Sequence, residues 1–459
     1  MLRTAFLEML AVVAGQDNLL TEAADCWAYG YDNSRQHAPP EAVVFASSHA
    51  QVLGVVRLCN RHGVPLTARG RGTGTTGGSV PLRGGVVLSL ERMDRILEIN
   101  PADRLMVVEA GATNQAVQEA AGAQGFFWPP DPTSAAYCTV GGNLAFNSAG
   151  PRALKYGTPR ENTLGLRAVT GAGEELRAGV RTSKGVVGLD LTRLLIGSEG
   201  MLAVITEATL KLTPLAPRKR TLRAHYADVD AAARAVAGIM AQPIVPCALE
   251  FMDDAALAMI RAYSQAELPD QAGALLMIEV DGDQDYIDHA AAALARVAQV
   301  HGCIDIKHAR DDAEVAALWA TRKALSPALR NVAPGKINED VVVPVSRLVE
   351  LVEGLRRLSR AHGIRIVNFG HAGNGNIHVN LLLDPQDPDQ VRAAEKCLDE
   401  VFGLVLRLGG TLSGEHGIGL SKRDFVACEL DPAALELMRG IKRQFDPNGI
   451  LNPGKGWPD

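Results

Sequence analysis

The sequence predicts an α+β protein of two domains, on three observations. The chain has 459 residues, more than one hydrophobic core usually organises, so two or more domains are expected. Its first part alternates helix-period and strand-period segments and contains a hairpin pattern. After the proline- and basic-rich stretch "LAPRKR" (215–220), strands followed by amphipathic helices take over, the pattern of an antiparallel sheet backed by helices.

The elements follow in order. "MLRTAFLEMLAVVAG" is partly apolar, but Glu8 interrupts it and "GQDNLLTEAADC" follows, so a first helix is expected, not a signal peptide. "SSHAQVLGVVRLCNRHG" has helical period, with Ser48 as N-cap and Gly63 as stop. "VPLTARG", "GGVVLSL" and "RLMVVEAG" are strand-like, and "TNQAVQEAAGAQG" is helical. "PRENTLGLRAVTGAGEELRAG" reads as a hairpin turning at "GAGEE". "GMLAVITEATLKLTP" is a long alternating strand that ends at Pro214. Beyond the boundary, "TLRAHYADVDAAARAVAGIM" is a strand into a helix, and "ALLMIEVDG", "DYIDHAAAALARVAQVHG" and "VSRLVELVEGLRRLSRAHG" continue the pattern. "WATRKALSPALRNVAPGKINEDVVVP" (319–344) reads as a helix and a loop. The tail is a helix and an extended end.

Composition narrows the function. Apolar residues make up 47% and charged residues 21%, an ordinary globular balance. The net charge of −6 argues against a nucleic-acid binder, which needs a basic surface. No apolar run approaches the ~18 residues of a membrane span. Seven cysteines are scattered without a CxxC, so neither an iron–sulfur cluster nor a zinc ribbon is supported. Their odd number fits a reducing cytoplasm.

The loop "ARGRGTGTTGGSVPLRGGVVLSL" (68–90) holds seven glycines between 70 and 85. Gly72, Gly74 and Gly77 match the dinucleotide fingerprint GxGxxG, which also requires a helix opening at the third glycine. Here Pro81 and two more glycines follow, and then another strand. The context refutes a nicotinamide site. A glycine-rich turn can still cradle phosphates through backbone N–H groups, with Arg69, Arg71, Thr73, Thr75 and Ser79 as added donors. The plainer alternative is a permissive turn between strands.

"RGRGTGTTGGSVPL", "DPTSAAYCTVGGNLAFNSAGPRALKYGTPRENTLGLRAV" (131–169) and "LIGSEGMLAVITEATLKL" (195–212) occur in that order. Together they resemble the flavin-binding fold of vanillyl-alcohol oxidase and p-cresol methylhydroxylase. With "GTLSGEHGIGLSKR" and "FDPNGILNPGK", the resemblance extends over nearly the whole chain to the flavin-linked D-2-hydroxyacid dehydrogenase family. That family includes D-lactate dehydrogenase, D-2-hydroxyglutarate dehydrogenase and the glycolate oxidase flavin subunit. The resemblance implies an FAD-binding domain of two subdomains over 1–217, and an α+β substrate- and metal-binding domain over 218–425. A C-terminal segment, 426–459, would return to the FAD domain. It implies that Arg69, Gly70, Arg71, Gly72, Thr73, Gly74, Thr75, Thr76, Gly77, Gly78 and Ser79 hold the pyrophosphate. Pro132, Thr133, Thr139, Gly141, Gly142, Asn147, Ser148, Glu199, Gly200, Ile205 and Asn452 would line the rest of the cofactor. Small residues in "TVGGNLAFNSAG" suit a backbone that approaches a flat cofactor closely. No histidine lies between 63 and 224, so non-covalent FAD is expected.

"GHAGNGNIHVN" (370–380) places two histidines seven apart around a glycine-rich turn. If "NIHVNLLL" is a strand, His378 and Asn380 share one face and Val379 the other. His371 lies across the turn, so both imidazoles can approach one point. "SGEHGIG" adds Glu415 and His416. Two histidines and a carboxylate suit a catalytic zinc with open positions; incidental turn histidines are the plainer alternative. The resemblance implies His371, His378 and Glu415 as metal ligands and His416 as general base. It departs from the family at Asn374, where aspartate is frequent. Zinc is expected first, with manganese or cobalt as alternatives.

The resemblance also implies Arg322 as the clamp for a substrate carboxylate, because guanidinium binds carboxylate bidentately. Ser326, one helical turn on, with Lys336 and Asn380, would complete the substrate site. Ordinary surface charges are the plainer alternative for the two cations. The expected reaction oxidises a D-2-hydroxy acid, D-lactate first, to the 2-oxo acid by hydride transfer to flavin N5. D-2-hydroxyglutarate and glycolate are alternative substrates, and a non-catalytic flavin subunit of a larger complex is the rival of another class. Electrons would leave to an external quinone, cytochrome or electron-transferring flavoprotein. A homodimer fits the same resemblance, and a cytoplasmic chain without a span is compatible with peripheral contact at the inner face of a membrane.

Overall fold

A computed structural model describes residues 2–263 and 268–457, with the side chains of Tyr263, Ala324, Ser326 and Pro327 outside the description. The chain divides into two compact units. The first comprises Met1–Gly150, Gly157–Leu215 and Glu415–Asp459; the second comprises Pro151–Tyr156 and Ala216–Gly414. The crossing after Leu215 falls in the proline- and basic-rich stretch. The return, after Gly414, comes earlier than the expected 425. Hydrogen bonding explains this. Thr411 and Ser413 bridge to the strand Gly335–Val342 of the second unit, whereas the N–H groups of Ile418 and Gly419 donate to Glu199 of the first. The short excursion at 151–156 was not expected. It belongs to the second unit because Lys155 and Tyr156 both bond the Asp281 carboxylate, Tyr156 Oη at 2.6 Å.

The first unit holds two main sheets. One has four strands in the order Leu19–Leu20, Ala42–Phe45, Val86–Ser89, Leu66–Arg69, and the last three are parallel. The other has five antiparallel strands, Ile96–Asn100, Leu105–Glu109, Ala203–Lys211, Thr163–Thr170 and Glu175–Gly179. The helix His49–His62 connects the first sheet's strands. Ser48 Oγ accepts from Gln51 N–H at its start, and Gly63 ends it at φ 62°. One apolar core spans both sheets, with Val44, Leu66, Leu88, Val108 and Val204 buried in it. The unit thus carries two sheets on one shared core.

The second unit is a seven-stranded antiparallel sheet. Its order is Cys303–His308, Arg218–Tyr226, Ala274–Gly282, Ala248–Asp253, Arg365–His371, Asn376–Leu383, Gly335–Val342. Alternation along the strands separates two faces. Tyr226 stands on one, where its hydroxyl donates to Ala298 O of the helix Gln284–Ala298. Met252, Met277 and Phe369 stand on the other, buried against Ala256, Leu257 and Ile260 of the helix Asp254–Tyr263 and Leu325 of the helix Asp312–Ala328. The segment expected as a loop around "GKINED" is instead the edge strand Gly335–Val342, paired along its length with Asn376–Leu383. No helix among the described residues is long and apolar enough to cross a membrane.

Candidate functional site

In the first unit, the glycine loop leaves the strand Leu66–Arg69 and no helix follows it before the next strand at Val86. Its fold is internally braced. Arg69, buried, donates from Nη1 to Tyr31 O at 2.7 Å and to Ser79 Oγ at 3.3 Å. Ser79 in turn donates from N and Oγ to Asp32 Oδ2 at 3.3 and 3.4 Å. Arg69 and Ser79, expected as phosphate donors, are therefore occupied in shaping the loop.

The other flavin segments converge on this loop. The helix Val140–Phe146 starts at Thr139, whose Oγ1 accepts from Gly142 N–H, and ends at Asn147 with φ 53°. Phe146 packs so closely on Gly78 that an added Cβ would lie 2.3 Å from its ring, which would have to shift. Gly197 N–H donates to Leu144 O and Glu199 N–H to Ala145 O, both at 2.8 Å. Asn452 ties the remaining pieces, donating from Nδ2 to Gly78 O at 3.0 Å and to Glu199 O at 2.6 Å. Pro132 is joined through Ala135, which donates to its carbonyl, while the neighbouring Asp131 N–H donates to Ala149 O. Gly200 and Ile205 follow at the start of the strand Ala203–Lys211.

Several side chains expected to face the cofactor are committed elsewhere. The Asn147 carboxamide accepts from Thr158 Oγ1 and Arg160 N–H. Ser148 Oγ donates to Glu415 O at 2.8 Å. The Glu199 carboxylate accepts from Ile418 N–H at 2.6 Å and Gly419 N–H at 2.8 Å, and burial pushes its pKa up. These residues help to build the walls of the first unit here. Two glycines of these segments are uncrowded. An added Cβ at Gly74 would meet nothing nearer than Asp32 Oδ2 at 3.9 Å, and one at Gly200 nothing nearer than 3.9 Å. Uncrowded glycines beside a braced loop suit a backbone N–H cradle for a pyrophosphate. Lys455, absent from the expected set, is buried behind it with Nζ on Asn452 Oδ1. Burial pushes this ammonium down to about 7, against the pull of Asp32 and Glu199.

In the second unit, sheet register does what the spacing of the two histidines required. Phe369 pairs with His378, and His371 with Asn376. His371 and His378 thus share a face, with ring centroids 5.3 Å apart and rings nearly perpendicular. Glu250 pairs with His371 from the next strand. Its carboxylate is 1% exposed and bridges two partners, His371 Nδ1 at 2.5 Å and Arg322 Nε at 2.8 Å. Burial alone would raise the Glu250 pKa, but His371 and Arg322 outweigh it and hold the carboxyl below its usual range. The Arg322 guanidinium also lies over the Phe369 ring, 4.7 Å from its centroid. Around Glu250 this face therefore gathers two imidazoles, a guanidinium and an aromatic ring.

Lys336, Asn338 and Asp340 stand on the same face, because they pair with Leu382, Asn380 and His378 on alternate positions. Asn380 is fully buried, and its amide is spent within the sheet. Nδ2 donates to Val367 O and His378 O, and Oδ1 accepts from Asn338 at 2.6 Å. It props the histidine strand from inside. Asp340 accepts from Ser413 Oγ and from Gly414 N–H at 2.9 Å, fixing the last residue of this unit. Glu415 is the next residue along the chain. Within the first unit its Oε2 accepts from Gly150 N–H at 2.9 Å, and His416 is held through its carbonyl by Thr76 Oγ1 at 3.2 Å. The Ser326 side chain lies outside the described residues. Glu250 was not anticipated, although a single acid in the apolar run "CALEFM" signals a buried charge that needs a partner.

Comparison with known proteins agrees with both halves of the chain. Residues 40–179 match a family described as FAD binding domain, and residues 215–456 match FAD linked oxidases, C-terminal domain. The glycolate oxidase subunit GlcD of Bacillus subtilis is 36% identical over 98% of this chain and 96% of its own length. A D-lactate dehydrogenase of Anaerostipes hadrus is 34% identical, covering 91% of this chain and 90% of its own. A D-2-hydroxyglutarate dehydrogenase of Xanthomonas citri pv. viticola is 36% identical, covering 95% and 93%. Substrate-bound p-cresol methylhydroxylase shares the fold, with TM-score 0.79 at 19% identity over 98% of this chain and 96% of that one. The chain belongs to the FAD-linked oxidases and is an FAD-dependent oxidoreductase of the D-2-hydroxyacid dehydrogenase and glycolate oxidase type.

Proposed function

We propose that this enzyme is a metal-dependent dehydrogenase that oxidises a small D-2-hydroxy acid, D-lactate first, to the 2-oxo acid. The observation that carries the reading is the pair of imidazoles on neighbouring strands, with His371 braced by the buried Glu250 carboxylate. Metal-bound histidines commonly pass their second ring nitrogen to a carboxylate in this way. His371, His378 and Glu415 would hold one divalent ion, zinc before manganese or cobalt. Two nitrogens and one oxygen leave open positions for a chelating substrate. Glu415 follows directly on Gly414, which Asp340 anchors.

When bound, FAD supplies the two-electron acceptor, and the ion supplies a Lewis acid for the substrate's hydroxyl and carboxylate. The chain's residues do the rest. Arg322 draws the carboxylate with its terminal amino groups, while Glu250 occupies Nε. His416 takes the hydroxyl proton as C2 is oxidised, a task that suits imidazole near neutral pH. Arg69, Asp32, Ser79 and Asn452 keep the phosphate loop shaped before FAD arrives. Electrons then leave to an external quinone, cytochrome or flavoprotein. Seven free cysteines suit a reducing cytoplasm.

One observation favours a second reading, D-2-hydroxyglutarate. Lys336 shares the site face and offers a cation for a distal carboxylate. Replacing His378 with alanine and counting bound metal tests the common core of both readings. The expected result is loss of metal and turnover with FAD retained. Unchanged metal and turnover would reject it.

A further inference from the structure

We propose that Glu250 is a positioning residue that sets two groups of the reaction at once: the ring nitrogen with which His371 meets the metal, and the angle at which Arg322 meets the substrate carboxylate. This rests on the metal and clamp roles proposed above.

The geometry carries the argument. Glu250 sits on the central strand Ala248–Asp253, in register with His371. One carboxylate oxygen is 2.5 Å from His371 Nδ1, and the other is 2.8 Å from Arg322 Nε. Accepting from Nδ1 places the ring proton there and makes Nε2 the lone-pair nitrogen, the one a metal uses. Accepting from Nε fixes the guanidinium's roll. Phe369 then fixes its tilt from the face, at 4.7 Å. The Arg322 side chain has few rotations left, so its terminal amino groups point one way.

Stability is a poor explanation for this cluster. Buried ion pairs are often matched or bettered by apolar residues of the same size, because desolvation offsets the attraction. Glu250 lies among Leu249, Phe251 and Met252, all buried, so an apolar residue would suit the strand. A carboxylate that bridges a metal-type histidine and an arginine is better explained by what it orients. It also lowers the net positive charge of the face, so that an ion and an anionic substrate can share it without an excess of cations.

The test compares Glu250→Gln and Glu250→Asp with the wild-type holoenzyme. The glutamine keeps the shape, but only one of its two ends can accept, so one donor faces an NH2 group. The aspartate keeps the charge one methylene short. Three quantities are read: Zn2+ affinity of metal-stripped protein by chelator competition, KM and kcat at saturating Zn2+ for the hydroxy acid that reduces the flavin, and the melting temperature. The expected result for Glu250→Gln is Zn2+ affinity lower by about 10–100-fold, as for other second-layer carboxylates. KM should rise by more than kcat falls once Zn2+ is saturating. Glu250→Asp should lie between that variant and wild type, and it decides the matter if the glutamine variant does not fold. Wild-type metal affinity and KM in a folded variant would overturn the role of Glu250 and leave the metal reading intact. A wild-type protein that binds none of Zn2+, Mn2+ and Co2+ would overturn the metal reading itself, and with it the inference.

Discussion

Gly72→Ala should cripple FAD binding without touching any group that reacts. Gly72 sits at φ 66°, and a Cβ built there would lie 2.3 Å from Arg69 Nη2. Two costs follow. A side-chain-bearing residue in the left-handed region loses about 1–2 kcal/mol relative to glycine. The clash also pushes the guanidinium away from Tyr31 O, now at 2.7 Å, and a buried hydrogen bond from a charged donor is worth about 1.5–3 kcal/mol. Together these give about 2.5–5 kcal/mol. Expressed wholly in cofactor affinity, that weakens FAD by about two to three and a half decades, since about 1.4 kcal/mol is tenfold. The assay is FAD titration of deflavinated protein, followed by flavin fluorescence, with the melting temperature recorded alongside. A dissociation constant within threefold of wild type would refute the claim that Arg69 and Gly72 jointly shape the phosphate loop.

The remaining predictions address the chemistry and the buried charges. His416→Ala should retain FAD and metal but lose most turnover; near-normal turnover rejects it as the base. Arg322→Ala should raise KM about 10–100-fold, from the roughly 1.5–3 kcal/mol of a charge-assisted pair, and an unchanged KM would return Arg322 to a purely structural role. Lys455 titrates at about 7 in the folded chain because it is buried, against about 10.4 when unfolded. Between these values the unfolded chain binds a proton that the folded chain does not, so stability should rise with pH from 7 towards 10. Lys455→Met should flatten this rise in the melting temperature of FAD-free protein; parallel curves for the two proteins would contradict it.

Much of the architecture was legible because local signals and packing agree. The failure of a helix to open after Gly77 followed from Pro81 and the second glycine pair, and the structure runs straight into the strand Val86–Ser89. The alternation in "NIHVNLLL" placed His378 on one face, and the sheet register does the same. The strand Gly335–Val342 was hidden because one of its faces carries Lys336, Asn338 and Asp340, so it lacks an apolar stripe. Polar residues there read as a loop when only one strand is in view. Glu250 and Lys455 were hidden for a different reason. Their partners lie far away in sequence, Glu250 with His371 and Arg322, and Lys455 with Asp32 and Glu199. The flavin segments showed which stretches meet, but not which side chains within them also hold the walls. Asn147, Ser148 and Glu199 are of that kind.

The central claim is that a D-2-hydroxy acid reduces bound FAD at a site that needs a divalent ion. The most direct test is anaerobic bleaching of the flavin absorbance of the purified holoenzyme. D-lactate, L-lactate, D-2-hydroxyglutarate and glycolate would be added separately, each with and without a chelator. The account predicts rapid bleaching by one D-acid or by glycolate, none by L-lactate, and loss of the bleaching after chelation. Equally rapid bleaching in chelated protein, or a preference for L-lactate, would contradict it.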